Sequence, residues 1–250
     1  MTSSQRATNW MLVVLVAVLG AATPGLAQIK IMPLGDSITL GVGSTGKIEA
    51  AGGYRDDLAG LLNGAQINFD FVGSLRNGVG FDADHEGHGG WRADQIEAEI
   101  GNYLNAGHPD VVLLHIGSND VTQNQSNSST VAQIEGIITA IYRFNRAIAI
   151  VVSSLVPRTD SRDGKTTTVN TLIEALVTQK HSDGYQIGFV DNNKAFKANS
   201  NWEADYMADS VHPNDAGYQI MAEEFFKAIP TSTSDDVAPA AITDLSITNI

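Results

Sequence analysis

The chain has 250 residues, 15 Lys plus Arg against 28 Asp plus Glu, a formal net charge of −13 and no cysteine, with 43% apolar and 17% charged residues. That is enough apolar material for one sizeable core, and an acidic surplus without any basic run excludes a nucleic-acid binder, which must cluster Lys and Arg on phosphates. The lack of cysteine excludes disulfide scaffolds, thiolate zinc sites and cysteine nucleophiles together. In chain order, the first feature is an unbroken apolar run from Trp10 to Leu19 behind Arg6, closed by small residues through Ala27. The run is about half the ~20 apolar residues of a membrane span. Gly25-Leu26-Ala27 also puts small residues where a leader peptidase cuts, so residues 1–27 read as a secretory signal peptide. The mature chain is then expected to be secreted, extracellular or periplasmic, with no membrane contact left after cleavage. A fold without disulfides fits bacterial export better than a eukaryotic secretory route.

Residues 28–230 alternate strand-like runs with helix-period segments, the pattern of one domain. The expected strands are Ile29 to Met32, Ile67 to Val72, Val111 to Ile116, Ala147 to Ser153 and Gln186 to Val190. Amphipathic helices are expected over Arg92 to Leu104, Val131 to Tyr142 and Thr168 to Gln179, the last with Val169, Leu172, Ile173, Leu176 and Val177 inward. A final helix is expected from near Pro213, with Ile220, Met221 and Phe225 facing the core. Five strands alternating with helices predict an α/β protein, a flavodoxin-like three-layer α/β/α sandwich on a five-stranded parallel sheet of order 2-1-3-4-5. After Pro230 the composition turns to a polar, small-residue linker, Thr231 to Ala241. The closing Ile242 to Ile250 resembles the first strand of a fibronectin type III module. Residues 231–250 therefore read either as linker and start of a truncated module, with further carbohydrate-targeting modules in a longer parent chain, or as a tail packing on the domain.

In a parallel sheet, functional groups collect in loops past the carboxyl ends of the strands. That rule selects Gly35-Asp36-Ser37-Ile38-Thr39 after the first strand and Gly87-His88-Gly89-Gly90-Trp91 after the second. It also selects Gly117-Ser118-Asn119-Asp120 after the third and Asp209-Ser210-Val211-His212-Pro213 after the fifth. All four should converge on one rim, bringing together a serine, a histidine with a carboxylate three residues before it, glycine backbone and an amide. Those are parts for acyl transfer.

These four blocks resemble the GDSL or SGNH hydrolases, and the likeness runs from Ile29 to Ile229. The resemblance implies the SGNH hydrolase fold, a serine nucleophile at Ser37 and a base at His212 within an Asp-x-x-His block. Gly53-Tyr54-Arg55, Phe71-Val72-Gly73-Ser74 and the His85-Glu86-Gly87-His88 run with Trp91 look most like the acetylxylan esterases of carbohydrate esterase family 3. Gly89 departs from that pattern, where a Ser is more usual, leaving Gly89 and Gly90 as candidates for the oxyanion amide. Gly90 is preferred because it directly precedes Trp91.

The chemistry also follows from the residues. A serine hydroxyl is a poor nucleophile until a base in hydrogen-bond reach takes its proton, and imidazole suits that task. Asp209 can hold the His212 ring in the required tautomer and stabilise the imidazolium. The backbone N–H groups of Ser37 and Gly90 and the side-chain amide of Asn119 can meet the oxyanion. An acyl-Ser37 intermediate then needs only water, so no metal or organic cofactor is expected. Asp36 and Trp91 are assigned to the substrate side, although Asp36, like Asp120, also fits a structural role bonding loop amides. His115 is expected to be a buried, satisfied histidine. His85, Glu86 and His88 match no zinc spacing and read as a polar loop facing substrate.

The expected function is a serine esterase that deacetylates a polysaccharide, xylan foremost, or other small acyl esters. The alternatives are a broad short-chain esterase, lysophospholipase or thioesterase on the same triad, and a non-catalytic carbohydrate-binding protein that keeps the fold.

Overall fold

The computed structural model describes residues 28–230. The signal peptide and the linker-module segment expected at the two ends lie outside the described residues. Among the described residues no helix is long and apolar enough to cross a membrane.

The elements in chain order are β1 (Ile29–Gly35), α1 (Ser37–Leu40), α2 (Tyr54–Gly64), β2 (Phe69–Phe71), β3 (Leu75–Arg76), β4 (Asp84–Gly87) and α3 (Ala93–Gly107). They continue with β5 (Val111–His115), α4 (Ser118–Thr122), α5 (Asn127–Phe144), β6 (Ala149–Ser153), α6 (Asp163–Ser182) and β7 (Ile187–Val190). The chain then closes through α7 (Asn192–Lys197), α8 (Trp202–Tyr206) and α9 (Asp215–Ala228).

The strands are parallel except for β3, which runs antiparallel to β4. The five expected strands take the expected order, β2-β1-β5-β6-β7, around a central β1. Two strands were not expected. β2 covers only the first half of β1, pairing Ile29↔Phe69 to Ile31↔Phe71, and β4 takes over its end, pairing Leu34↔Glu86 and Gly35↔Gly87. The glycine block therefore follows β4 and not the strand ending near Val72. A polar tetrapeptide, Asp-His-Glu-Gly, gives no apolar period from which to read a strand.

Alternation along each strand explains why the runs are continuously apolar. Val112, Leu114, Ile150 and Val152 join one core with Ile96, Ile100, Ile134, Ile138, Val169 and Ile173. Val111, Leu113, Ala149 and Val151 join a second core with Tyr54, Leu58, Leu62, Tyr218, Met221 and Phe225. Helices α3, α5 and α6 thus cover one face and α2 and α9 the other, and each fully buried Leu, Ile or Phe contributes about 1.5–3 kcal/mol. In α6, Val169, Ile173 and Val177 are buried but Leu172 is exposed, since a four-residue spacing keeps only one narrow stripe on the sheet. Helix α2, unforeseen, packs Tyr54, Leu58 and Leu62 inward at the same spacing.

Candidate active site

The four blocks meet at the carboxyl ends of β1, β4 and β5. Ser37 opens α1 directly after β1, so its N–H lies outside the helix ladder. Asp36 caps that helix, its Oδ1 accepting from the Ile38 N–H at 3.0 Å. The Ser37 hydroxyl is 2.9 Å from His212 Nε2, and His212 Nδ1 is 2.8 Å from Asp209 Oδ2. For Nε2 to accept the serine proton, Nδ1–H must donate to Asp209, and the geometry provides that acceptor. Asp209 is fixed in turn, because its Oδ1 accepts from the N–H groups of Val211 (2.7 Å) and His212 (2.8 Å). Burial pushes the Asp209 carboxyl up, but the His212 side chain and these backbone donors outweigh it and hold the pKa below the usual 3.8. The relay grades from a nearly enclosed Ser37 (9% exposed) to an Asp209 side chain that is 53% exposed.

His212 sits on a tight loop closed by a Met207–Pro213 bridge and an Ala208 N–H to His212 carbonyl bond of 2.9 Å. The segment after α1 clasps this loop and the first turn of α9 that follows it. Thr45 donates to the Asp215 carboxylate through N–H (2.9 Å) and hydroxyl (2.5 Å), and the Tyr218 hydroxyl donates to the Val42 carbonyl at 2.5 Å. Gly43 makes the close approach possible: with φ at +100°, a Cβ there would lie 2.3 Å from the Pro213 carbonyl oxygen and 3.0 Å from His212 Cβ.

On the other side of Ser37, His88-Gly89-Gly90-Trp91 forms a turn closed by the Trp91 N–H to His88 carbonyl bond at 3.1 Å. Gly90, at φ +82°, holds the third position, as in a type II turn. Gly89 has no positive φ, and a Cβ on it would make only ordinary contact with Leu40 at 3.4 Å. The turn therefore requires glycine at 90 and tolerates a side chain at 89. Asn119, on α4, donates one N–H to the Trp91 carbonyl at 2.9 Å, which aims the amide and leaves its second N–H available. Trp91 is partly buried and stacks on His88 at 4.4 Å.

Several expectations need correction. Asp36 has no solvent exposure, so it meets no substrate: its helix cap turns the side chain inward. The His85-Glu86 segment is no substrate-facing loop. Glu86 is buried on β4 and accepts from the Ser74 N–H (2.6 Å) and hydroxyl (2.9 Å), and His88 Nε2 lies 2.9 Å from it. His85 is buried with Nδ1 accepting from the Gly87 N–H, and burial drives its pKa down to about 3. His115 is buried as expected but incompletely satisfied: Val156 N–H reaches Nε2 at a long 3.4 Å, and Nδ1 has no hydrogen-bond partner. Among the described residues no three His, Asp or Glu side chains gather in a metal-holding group.

Arg55 is the positioning residue that sequence reasoning missed. Its buried guanidinium donates to the carbonyls of Thr39, Leu40, Ala51, Asn77 and Ala83 and to Asn77 Oδ1, at 3.0–3.4 Å. It thus ties the last turn of the Ser37 helix to two flanking loops, and Tyr54 adds a hydroxyl contact with Thr39 at 3.3 Å. A lone arginine among apolar positions at the start of a helix is the signal that points to it.

With this geometry in view, the sequence profile of the GDSL-like lipase/acylhydrolase family matches residues 34–220. The chain belongs to that family. A family 3 carbohydrate esterase of Clostridium thermocellum is 33% identical and superposes with a TM-score of 0.71, over 81% of this chain and 95% of that one. A family 3 carbohydrate esterase of Talaromyces cellulolyticus is 27% identical, with a TM-score of 0.68 over 80% and 95%. A multidomain esterase of Ruminococcus flavefaciens is 24% identical over 228 residues, which cover 80% of this chain and 28% of that protein. The GDSL-family domain is a carboxylic ester hydrolase with the fold of these carbohydrate esterases.

Proposed function

We propose that the protein is a secreted serine esterase that removes acetyl groups from an acetylated polysaccharide, xylan foremost. The observation that carries this reading is the unbroken relay from the Ser37 hydroxyl through His212 to Asp209, at 2.9 and 2.8 Å. Ser37 Oγ attacks the acetyl carbonyl carbon as its proton passes to His212 Nε2, and the imidazolium is stabilised by Asp209. The carbonyl oxygen becomes an oxyanion, met by the N–H groups of Ser37 and Gly90 and the free N–H of Asn119; each such donor contributes about 2.7–4 kcal/mol to the transition state. Collapse breaks the ester C–O bond, and the sugar oxygen leaves with the proton from His212. Water then gives a proton to His212, attacks acyl-Ser37 and releases acetate, and the proton returns to Ser37.

The substrate class is supported by the two family 3 carbohydrate esterases that superpose on the chain. A net charge of −13 also disfavours strongly anionic polysaccharides, such as de-esterified pectin, against a neutral acetylated backbone. Acetate release from acetylated xylan, pectin and chitin side by side tests the reading, with p-nitrophenyl esters of rising chain length and a lysophospholipid as comparisons. Xylan is expected to be the best polysaccharide and acetyl the best acyl group. Faster turnover of octanoyl than acetyl esters refutes the deacetylase, and full activity in Ser37→Ala refutes the nucleophile. Export is supported by the apolar run before Ala27, and N-terminal sequencing of secreted protein should begin at Gln28.

A further inference from the structure

Beneath the Ser37 helix lies a buried acidic group that the reaction does not use. Asp36 is wholly enclosed; its Oδ1 takes the Ile38 N–H, and its Oδ2 has no hydrogen-bond partner. Asp120, one residue past Asn119, is equally enclosed: its Oδ2 accepts from the Ala93 N–H at 3.0 Å, and its Oδ1 is likewise unpartnered. Neither carboxylate forms an ion pair among the described residues. The groups bearing on Asp36 from the packed elements are the Ser118 hydroxyl and Asp120 from α4, Tyr54 from α2 and Tyr218 from α9. Asp120 is faced in addition by Thr130, Asp94 and Arg92. An ionised Asp36 would thus sit dry, near a second carboxylate, and next to the backbone N–H assigned to the oxyanion.

We propose that Asp36 is a positioning residue that works as a neutral carboxylic acid, its proton on Oδ2 turned toward Ser118 and Asp120 of the Asn119 loop. The proton removes a negative charge from beside the developing oxyanion and supplies the donor that a bare carboxylate lacks. Burial in the first place, with Asp120 adding to it, raises the Asp36 pKa from 3.8 to about 7. The folded chain therefore keeps a proton that the unfolded chain gives up. Asp36 contributes stability that is full below pH 3.8 and lost as pH rises through about 7.

The test combines infrared spectroscopy with kinetics on p-nitrophenyl acetate, so that failure of the polysaccharide assignment leaves it standing. At about pH 5 the wild type should show the C=O stretch of a buried protonated carboxyl, absent in Asp36→Asn and lost from the wild type by about pH 9. Asp36→Ala should lose roughly tenfold to hundredfold in kcat, with Asp36→Asn, a neutral mimic that can still cap α1, restoring most of it and flattening any alkaline decline. If Asp36→Asn does not fold, Asp120→Asn serves instead: removing the neighbouring charge should move loss of the infrared band to lower pH. No such band in the wild type, a band unchanged in Asp36→Asn, or one that does not move in Asp120→Asn overturns the proposal.

Discussion

Replacing Arg55 by Met should destabilise the protein and slow it together. Of the five carbonyls on the guanidinium, those of Leu40 and Ala51 keep a donor in Asn77 Nδ2, and that of Ala83 keeps the Asn77 N–H at 3.4 Å. The carbonyls of Thr39 and Asn77, and Asn77 Oδ1, lose the donors that hold them. Three stranded acceptors cost about 1–3 kcal/mol each, or about 3–9 kcal/mol together. Relief of the guanidinium's own burial, which holds its pKa down at about 10, places the loss in the lower half of that range, about 3–6 kcal/mol. Against a total of about 5–15 kcal/mol this is severe, and in a domain of this size it lowers Tm by roughly 6–24 °C. Urea denaturation should show a lower midpoint at unchanged m, with kcat on p-nitrophenyl acetate reduced in the surviving native protein. Arg76, with 71% of its side chain exposed, is the control, and Arg76→Met should stay within about 0.5 kcal/mol. A loss below about 1 kcal/mol in Arg55→Met would mean that water or rearranged donors satisfy those carbonyls, and the clamp would be refuted.

Other perturbations probe the relay and the turn. Asp209→Asn keeps an acceptor for the two backbone donors but can present N–H to His212 Nδ1, stabilising the wrong tautomer; kcat should fall by about 10³–10⁴ with little change in KM. Because the folded-state pKa of Asp209 is depressed, its contribution to stability is present above pH 3.8 and lost as pH falls below it, so the Asn variant should show a shallower acid destabilisation in melting curves. Gly43→Ala should displace the His212 loop by way of its 2.3 Å clash with Pro213, lowering kcat by roughly 10²-fold while far-UV circular dichroism is unchanged. Gly90→Ala, at φ +82°, should cost more activity than Gly89→Ala, which kinetics on acetyl esters would show directly; the reverse order would move the oxyanion assignment to Gly89.

The strands that bury both faces, such as Val111–His115 and Ala149–Ser153, announce themselves as apolar runs, and the blocks holding Ser37, Asn119 and His212 were legible because they follow strands or precede a helix. What stayed hidden was polar structure. Strand β4 buries Glu86 through hydrogen bonds that no hydropathy pattern encodes. Helix α2 carries a regular Tyr54, Leu58, Leu62 spacing, but its Gly-Tyr-Arg start drew attention as a motif and not as a helix. Of the two roles open to Asp36, the structure keeps the bond to a loop amide and removes the contact with substrate, because adjacency to a nucleophile in sequence says nothing of which way a capping side chain points.

The division of labour along β1 has a consequence for how the enzyme fails. Gly90 is delivered by β4, which holds β1 through only the two residue pairs Leu34↔Glu86 and Gly35↔Gly87, whereas Ser37 and Asn119 follow strands joined to each other over five pairs from Ile31↔Val111 to Gly35↔His115. Sub-global opening begins where the ladder is thinnest. On heating, the corner bearing the glycine turn should let go while the sheet is intact, so that loss of turnover precedes the cooperative melt and is recovered on cooling.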